Sequence, residues 1–148
     1  MRNEYKTIGK NILRFDAPAK LKGESLFCAD IKLDAPLCLK VLRSSHHHAV
    51  IESINISKAL KLDGVIQIFT AKDIPGKNLI GIINKDQPLL AEDKVRSKAD
   101  PVALVAAENE IAAQKALDTI EVVYKELPAV FDPIKALEPD AWKIHEKG

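Results

Sequence analysis

The sequence predicts an α+β fold, a mixed sheet carrying two helices, and three observations predict it. Residues 100–124 read DPVALVAAENEIAAQKALDTIEVVY, an apolar run, a polar-capped amphipathic stretch and a β-branched run, which is the pattern of a strand–helix–strand unit. Residues 65–70, VIQIFT, place Val65, Ile66, Ile68 and Phe69 so densely that the run reads as a strand buried on both faces. Ser57 stands ahead of KALKL with Gly64 behind it, a hydroxyl to accept from a free helix amide and a residue to stop the helix, so a second, short helix is expected near 57–62.

Taken in order, residues 1–25 have weak periodicity, with Gly9, Pro18 and Gly23 among charges, and read as an extended N-terminal arm. Residues 26–148 read as a single domain. Within it, 26–33 looks like a short strand ended by Asp34, Ala35 and Pro36, and 37–43 (LCLKVLR) like a second. Residues 49–55 alternate loosely, but their β-branched content favours strand. From 71 to 94 periodicity lapses, with Pro75, Gly76, Gly81 and Pro88. A structureless stretch of that length is uncommon in a compact domain, so either short strands hide near 79–83 or the loop serves a partner. Residues 102–107 are the next buried strand. Asn109 is placed to cap a helix over 109–119, with Glu110 in its first turn to suit the helix dipole. Ala112, Ala113, Ala116, Leu117 and Ile120 share one face of that helix. Residues 120–124 resume as strand until Pro128, which cannot donate to a ladder. The tail from 130 is irregular, with one helical turn near 133–137. The element order is therefore β-β-β-α-β, then β-α-β.

Bulk composition excludes several classes of function. The chain has 148 residues, 47% apolar and 29% charged, with a net charge of +1, so it has no basic field for nucleic acid. Aromatics at 5% give no base-stacking surface. No apolar run approaches the roughly 20 residues that span a bilayer, and the opening MRNEYKTIGK has no apolar core of a secretory leader, so no membrane partner is expected. With only Cys28 and Cys38 and no leader in view, the thiols are expected free, in a reducing cytoplasm.

Candidate chemistry is thin. On a strand, His46 and His48 would point the same way and could share a metal, but no third and fourth ligand stands nearby, so a polar, histidine-rich connection is the preferred reading. Cys38 lies in an apolar run, where a thiol serves as a small hydrophobe, and neither it nor Cys28 has a base in view. No carboxylate sits in an apolar setting that would raise its pKa. The glycines make no phosphate-binding pattern. No catalytic, cofactor-binding or metal-binding residue is assigned.

Four stretches in order carry a family resemblance. IGKNILRFDAPAKLKGESLFCADI, VLRSSHHHAVIESINISKAL, GVIQIFTAKDIPGKNLIG and ADPVALVAAENEIAAQKALDTIEVVYKELPAVFDP together resemble the N-terminal part of the molybdenum-binding large subunit of the xanthine dehydrogenase/aldehyde oxidase family. Arg43, Ser44, His46, His48, Ala49 and Ile51 match the family's R-S-P-H-A-H-A-x-I segment. Ser45 stands where proline is usual, His47 where alanine is common, and Ala99 where a glycine precedes Asp100-Pro101. A glycine is kept where φ is positive or another group approaches closely.

The resemblance implies an α/β-hammerhead domain. It implies an oxidoreductase that hydroxylates an aldehyde or N-heterocycle at a molybdenum–pterin centre, with oxygen from water. The pterin loops and active-site glutamate of such a subunit belong to a longer segment beyond residue 148, so this chain alone is expected to be inactive and to hold no cofactor. Its implied partners are the remainder of the subunit, with iron–sulfur and flavin subunits. The alternative is a stand-alone, non-enzymatic protein-interaction module that reuses the fold, since fold alone does not fix function.

Overall fold

The computed structural model describes residues 5–145, which divide into two compact units, 5–34 and 35–145. The first contains a short helix, α1 (Ala17–Leu21), with Pro18 in its opening turn, and a 3₁₀ turn at Cys28–Asp30. Asp16 precedes α1 and pairs with Arg14 and Lys20, which hold its carboxyl below the ordinary carboxylate value. The strand expected over 26–33 does not form. The Asp30 carboxylate accepts from Phe27 N at 2.9 Å and folds the segment into a turn instead.

The second unit is built from antiparallel sheets. Strands β1 (Cys38–Arg43), β2 (Ala49–Asn55) and β3 (Val65–Phe69) are followed by three short ones, β4 (Leu79–Ile80), β5 (Gln87–Pro88) and β6 (Lys94–Val95). Then come β7 (Pro101–Ala107), helix α2 (Glu110–Thr119) and β8 (Glu121–Glu126). The sheets run β1-β7-β3, β6-β2-β8 and β4-β5. Every pairing among the described residues is antiparallel, so the α+β class holds while the mixed sheet is replaced by antiparallel ladders.

Central β7 explains the architecture. Its residues Val102, Ala103, Val105 and Ala107 are wholly buried. Ala103, Val105 and Ala107 pack with Ala112, Ala113 and Ala116 of α2 and with Ile68 of β3. Val102 joins a second cluster with Ala49, Ile51, Ala91 and Val95. Small side chains on both helix and strand let the two backbones approach closely. Asn109 caps α2 as expected, its Oδ1 accepting from Ala112 N at 2.9 Å.

Two expected elements differ. The helix near 57–62 is a single 3₁₀ turn, Ala59–Lys61, closed by Lys61 N to Lys58 O and Leu62 N to Ala59 O at 3.2 Å. Ser57 does not cap it; its own N–H donates to Asn55 Oδ1 at 3.1 Å. Six residues are too few to offset helix nucleation, and Gly64, at φ +77°, must turn the chain into β3. Strand β3 is not buried on both faces. It is an edge strand, with Ile68 buried but Ile66 half exposed. The 71–94 stretch does hide short strands, including the β4–β5 hairpin with Leu79 opposite Pro88 and Ile80 opposite Gln87.

Candidate functional site

The histidine-rich connection between β1 and β2 is the most constrained polar feature of the second unit. Ser44 and His48 are buried polar side chains, 4% and 2% exposed. Ser44 N donates to Asp100 O, and Ala99 N donates to Ser44 O, both at 2.9 Å, which straps this connection to the turn before β7. Arg43 adds a third strap, its Nη1 donating to Ala99 O at 2.9 Å. The Ser44 hydroxyl sits between His46 N and His46 O, at 3.0 Å from each.

The turn over 96–100 is organised by one carboxylate. Asp100 Oδ2 accepts from Arg96 N at 2.7 Å and Ser97 N at 3.2 Å, and Oδ1 accepts from the Ser97 hydroxyl. Ala99 is held in the left-handed region at φ +75°, which accounts for the glycine usual there in the family. The Ser97 and Asp100-Pro101 spacing carried a turn signal that sequence reasoning did not use.

The segment that presents the histidines is not a strand, so the period-two argument for a shared metal does not apply. The three rings part. His46 stacks on Tyr124, centroids 4.6 Å apart, while burial pushes the Tyr124 phenol above its ordinary value. His47 meets Phe131 edge-on at 4.9 Å. His48 faces Trp142 and donates through Nδ1 to Pro128 O at 2.7 Å, because a carbonyl can only accept. That bond requires a proton on Nδ1. Among the described residues no set of three His, Cys, Asp or Glu is placed to hold a metal ion. Ser45 Oγ lies 3.1 Å from His46 Nδ1, but the two are chain neighbours and no carboxylate orients the ring among the described residues, so this is not a built nucleophile. Cys28 is exposed in the first unit, Cys38 is half-buried in β1, and both thiols are free.

Two concavities bear on ligands. On the face of the β1-β7-β3 sheet away from α2, Val41, Leu104 and Phe69 share a register row. With Ile74, Pro75 and Leu89 they line an apolar groove of about 510 Å³. A second cavity, of about 170 Å³, lies beside His48, Arg96 and Lys98. Neither fits a molybdenum–pterin cofactor. The first offers almost no polar donors, and the second is too small for a fused heterocycle with its phosphate. Among the described residues no helix is long and apolar enough to cross a membrane.

Comparison with known proteins agrees with this geometry. Residues 22–128 match the family described as aldehyde oxidase and xanthine dehydrogenase, a/b hammerhead domain. The chain is 46% identical, over 92% of its length, to a probable xanthine dehydrogenase component of Bacillus subtilis, of which it covers 18%. It is 42% identical to the nicotinate dehydrogenase large molybdopterin subunit of Eubacterium barkeri, covering 98% of this chain and 34% of that one. The aldehyde oxidoreductase structure from Desulfovibrio gigas superposes at a TM-score of 0.83 with 34% identity, over 90% of this chain and 16% of that one. The chain thus spans between a sixth and about a third of these relatives. It belongs to the aldehyde oxidase and xanthine dehydrogenase family, an oxidoreductase family, and corresponds to its α/β-hammerhead domain.

Proposed function

We propose that this chain is the hammerhead scaffold of a molybdenum hydroxylase large subunit acting on an aldehyde or N-heterocycle with water as the oxygen source. In this reading it contributes structure and no reacting group. Molybdenum–pterin, the catalytic glutamate and the substrate pocket belong to the remainder of the subunit, and iron–sulfur and flavin subunits carry the electrons away in the cytoplasm. The observation that supports the reading is end-to-end likeness to a fraction of much larger enzymes, 98% of this chain against 34% of the nicotinate dehydrogenase subunit. The buried Ser44–His48 connection and the 96–100 turn serve here as a rigid brace between the two main sheets, a structural use of residues that a metal reading would have spent on ligation.

The test is reconstitution. The chain is co-expressed with the remainder of a large subunit, and molybdenum content and oxidation of an aldehyde panel and an N-heterocycle panel are measured. The expected result is that molybdenum and activity appear only in the joint complex, and that the chain alone carries neither. A chain that never associates with a large-subunit remainder would favour the non-enzymatic interaction module.

A further inference from the structure

The open face of the β1-β7-β3 sheet and the tail meet at one corner of the second unit. On that face Val41, Phe69, Ile74, Leu89 and Leu104 wall the apolar groove of about 510 Å³. Asp73 is the one charged residue in its lining, and its carboxylate is committed to its own turn, accepting from the Thr70 N–H at 2.7 Å and hydroxyl at 2.8 Å. Contiguous exposed apolar surface of this kind marks an interaction site, and what it takes must itself be apolar. The tail comes to the same place. Ile144 and His145 line a cavity of about 310 Å³ with Gln87, Pro88 and Pro101. Pro101 lines both this cavity and the groove, and Pro88 is followed at once by Leu89 and Leu90 of the groove wall. Lys94 Nζ ties the tail there, donating to Ile144 O at 3.2 Å. The polypeptide therefore arrives at residue 145 directly across Pro101 from the groove.

We propose that this groove is the docking site of the stretch of the large subunit that directly follows this chain, and that the stretch is apolar. The inference rests on the scaffold reading above, in which 98% of this chain answers to 34% of a longer subunit. Three features select this occupant over a second copy of the chain or a separate subunit. A segment that leaves from the Ile144–His145 corner starts beside the groove, so it binds intramolecularly, at an effective concentration on the order of millimolar for a short connection. A separate chain would give up its translational and rotational freedom to reach the same contacts. The wall is aliphatic with one aromatic ring and carries no charge pattern by which a separate partner would be selected. Its volume, within the roughly 300–1,000 Å³ of ligand pockets, takes more than one apolar side chain, as an extended segment would present. Docking here covers the sheet face that α2 leaves open and fixes the point from which the rest of the subunit is built.

The test is site-specific photo-crosslinking in the full chain co-expressed with the remainder of a large subunit. Phe69, at the exposed rim of the groove, is replaced by the aromatic photo-crosslinker p-benzoylphenylalanine, and the cross-linked peptide is identified by mass spectrometry. The expected product joins position 69 to an apolar stretch at the very start of the remainder. The same replacement at Ile111, exposed on α2 on the other side of the sheet, is expected not to give it. Leu89→Asp, at an exposed position of the groove wall, is expected to weaken assembly about tenfold or more at an unchanged unfolding midpoint, while Ile111→Asp assembles like the parent chain. A complex that forms but cross-links position 69 to a second copy, to another subunit or to a distant part of the remainder would overturn the groove assignment and leave the scaffold reading standing. So would a complex that assembles equally well with Leu89→Asp. A parent chain that forms no complex would overturn the scaffold reading itself, and this inference with it.

Discussion

At the scale of single residues, Ala99 shows how a departure from a family pattern can be given a physical cost. A non-glycine residue in the left-handed region costs roughly 1–2 kcal/mol. Its φ of +75° is enforced by the straps from Ser44 O and Arg43 to the Ala99 backbone, so it cannot relax cheaply. Glycine there would remove the strain but give the unfolded chain more freedom, worth roughly 0.4–1 kcal/mol in the other direction. Relief of strain outweighs the added freedom. Ala99→Gly is expected to stabilise the chain by about 0.5–1 kcal/mol, read as a raised urea midpoint at unchanged slope. The family glycine pointed to this position in the sequence. What could not be read there was the reason, because φ at 99 is set by hydrogen bonds to residues more than fifty positions away. His48 makes the same point. Its triplet was conspicuous, yet its partner Pro128 lies 80 residues on, and only the fold shows that the ring is a buried brace.

At the scale of elements, local signals were legible and neighbour-dependent ones were not. Helix α2 announced itself through Asn109, Glu110 and the alanine face, all within one short window, and it forms where expected. Its packing depends on those alanines staying small. Ala113 and Ala116 are wholly buried against β7 and β1, so Ala116→Leu is expected to destabilise by about 1–3 kcal/mol through overpacking, measured by thermal or urea unfolding. Strand β3 departs from the two-faced burial its composition predicts, because that burial depends on how many neighbours a strand has, and an edge position is a property of the whole sheet. The turn after β3 carries a pH signature. Asp73 accepts from Thr70 N at 2.7 Å and from the Thr70 hydroxyl at 2.8 Å, and these bonds, the backbone one first, hold its carboxyl below its ordinary value of 3.8. A depressed folded pKa stabilises the folded state above the unfolded value, and this is lost as pH falls through the folded one. Asp73→Asn is therefore expected to lower stability at neutral pH and to flatten the acid limb of the stability curve below about pH 4. An acid limb identical to that of the parent chain would refute this assignment.

At the scale of the whole molecule, the second unit exposes apolar side chains where a free-standing domain would keep polar ones. Ile82 and Ile83, at the tip of the β4–β5 hairpin, are 103% and 93% exposed. The hairpin is rigidly mounted. Asn78 closes its base with Nδ2 donating to Leu90 O at 2.7 Å and Oδ1 accepting from Leu90 N at 3.1 Å. Gly81 has no room for a Cβ, which would fall 1.7 Å from Asn84 O. The aliphatics of 71–94 were visible in the sequence as either core or interface. The structure divides them, with Leu90 half-buried at the stapled base and the two isoleucines in solvent. Burying one isoleucine is worth roughly 1.5–3 kcal/mol, so the pair would contribute at least about 3 kcal/mol to an interface, on the order of a hundredfold in affinity. If the chain belongs to a larger subunit as proposed, this tip is expected to dock on its remainder. The isolated protein is then expected to self-associate in sedimentation at high concentration, and Ile82→Asp with Ile83→Asp to suppress that association without lowering the unfolding midpoint. The same pair of substitutions is expected to weaken assembly with the subunit remainder by about tenfold or more. A parent chain that stays monomeric and assembles no better than the double variant would show that the hairpin tip faces water in the complete enzyme as well.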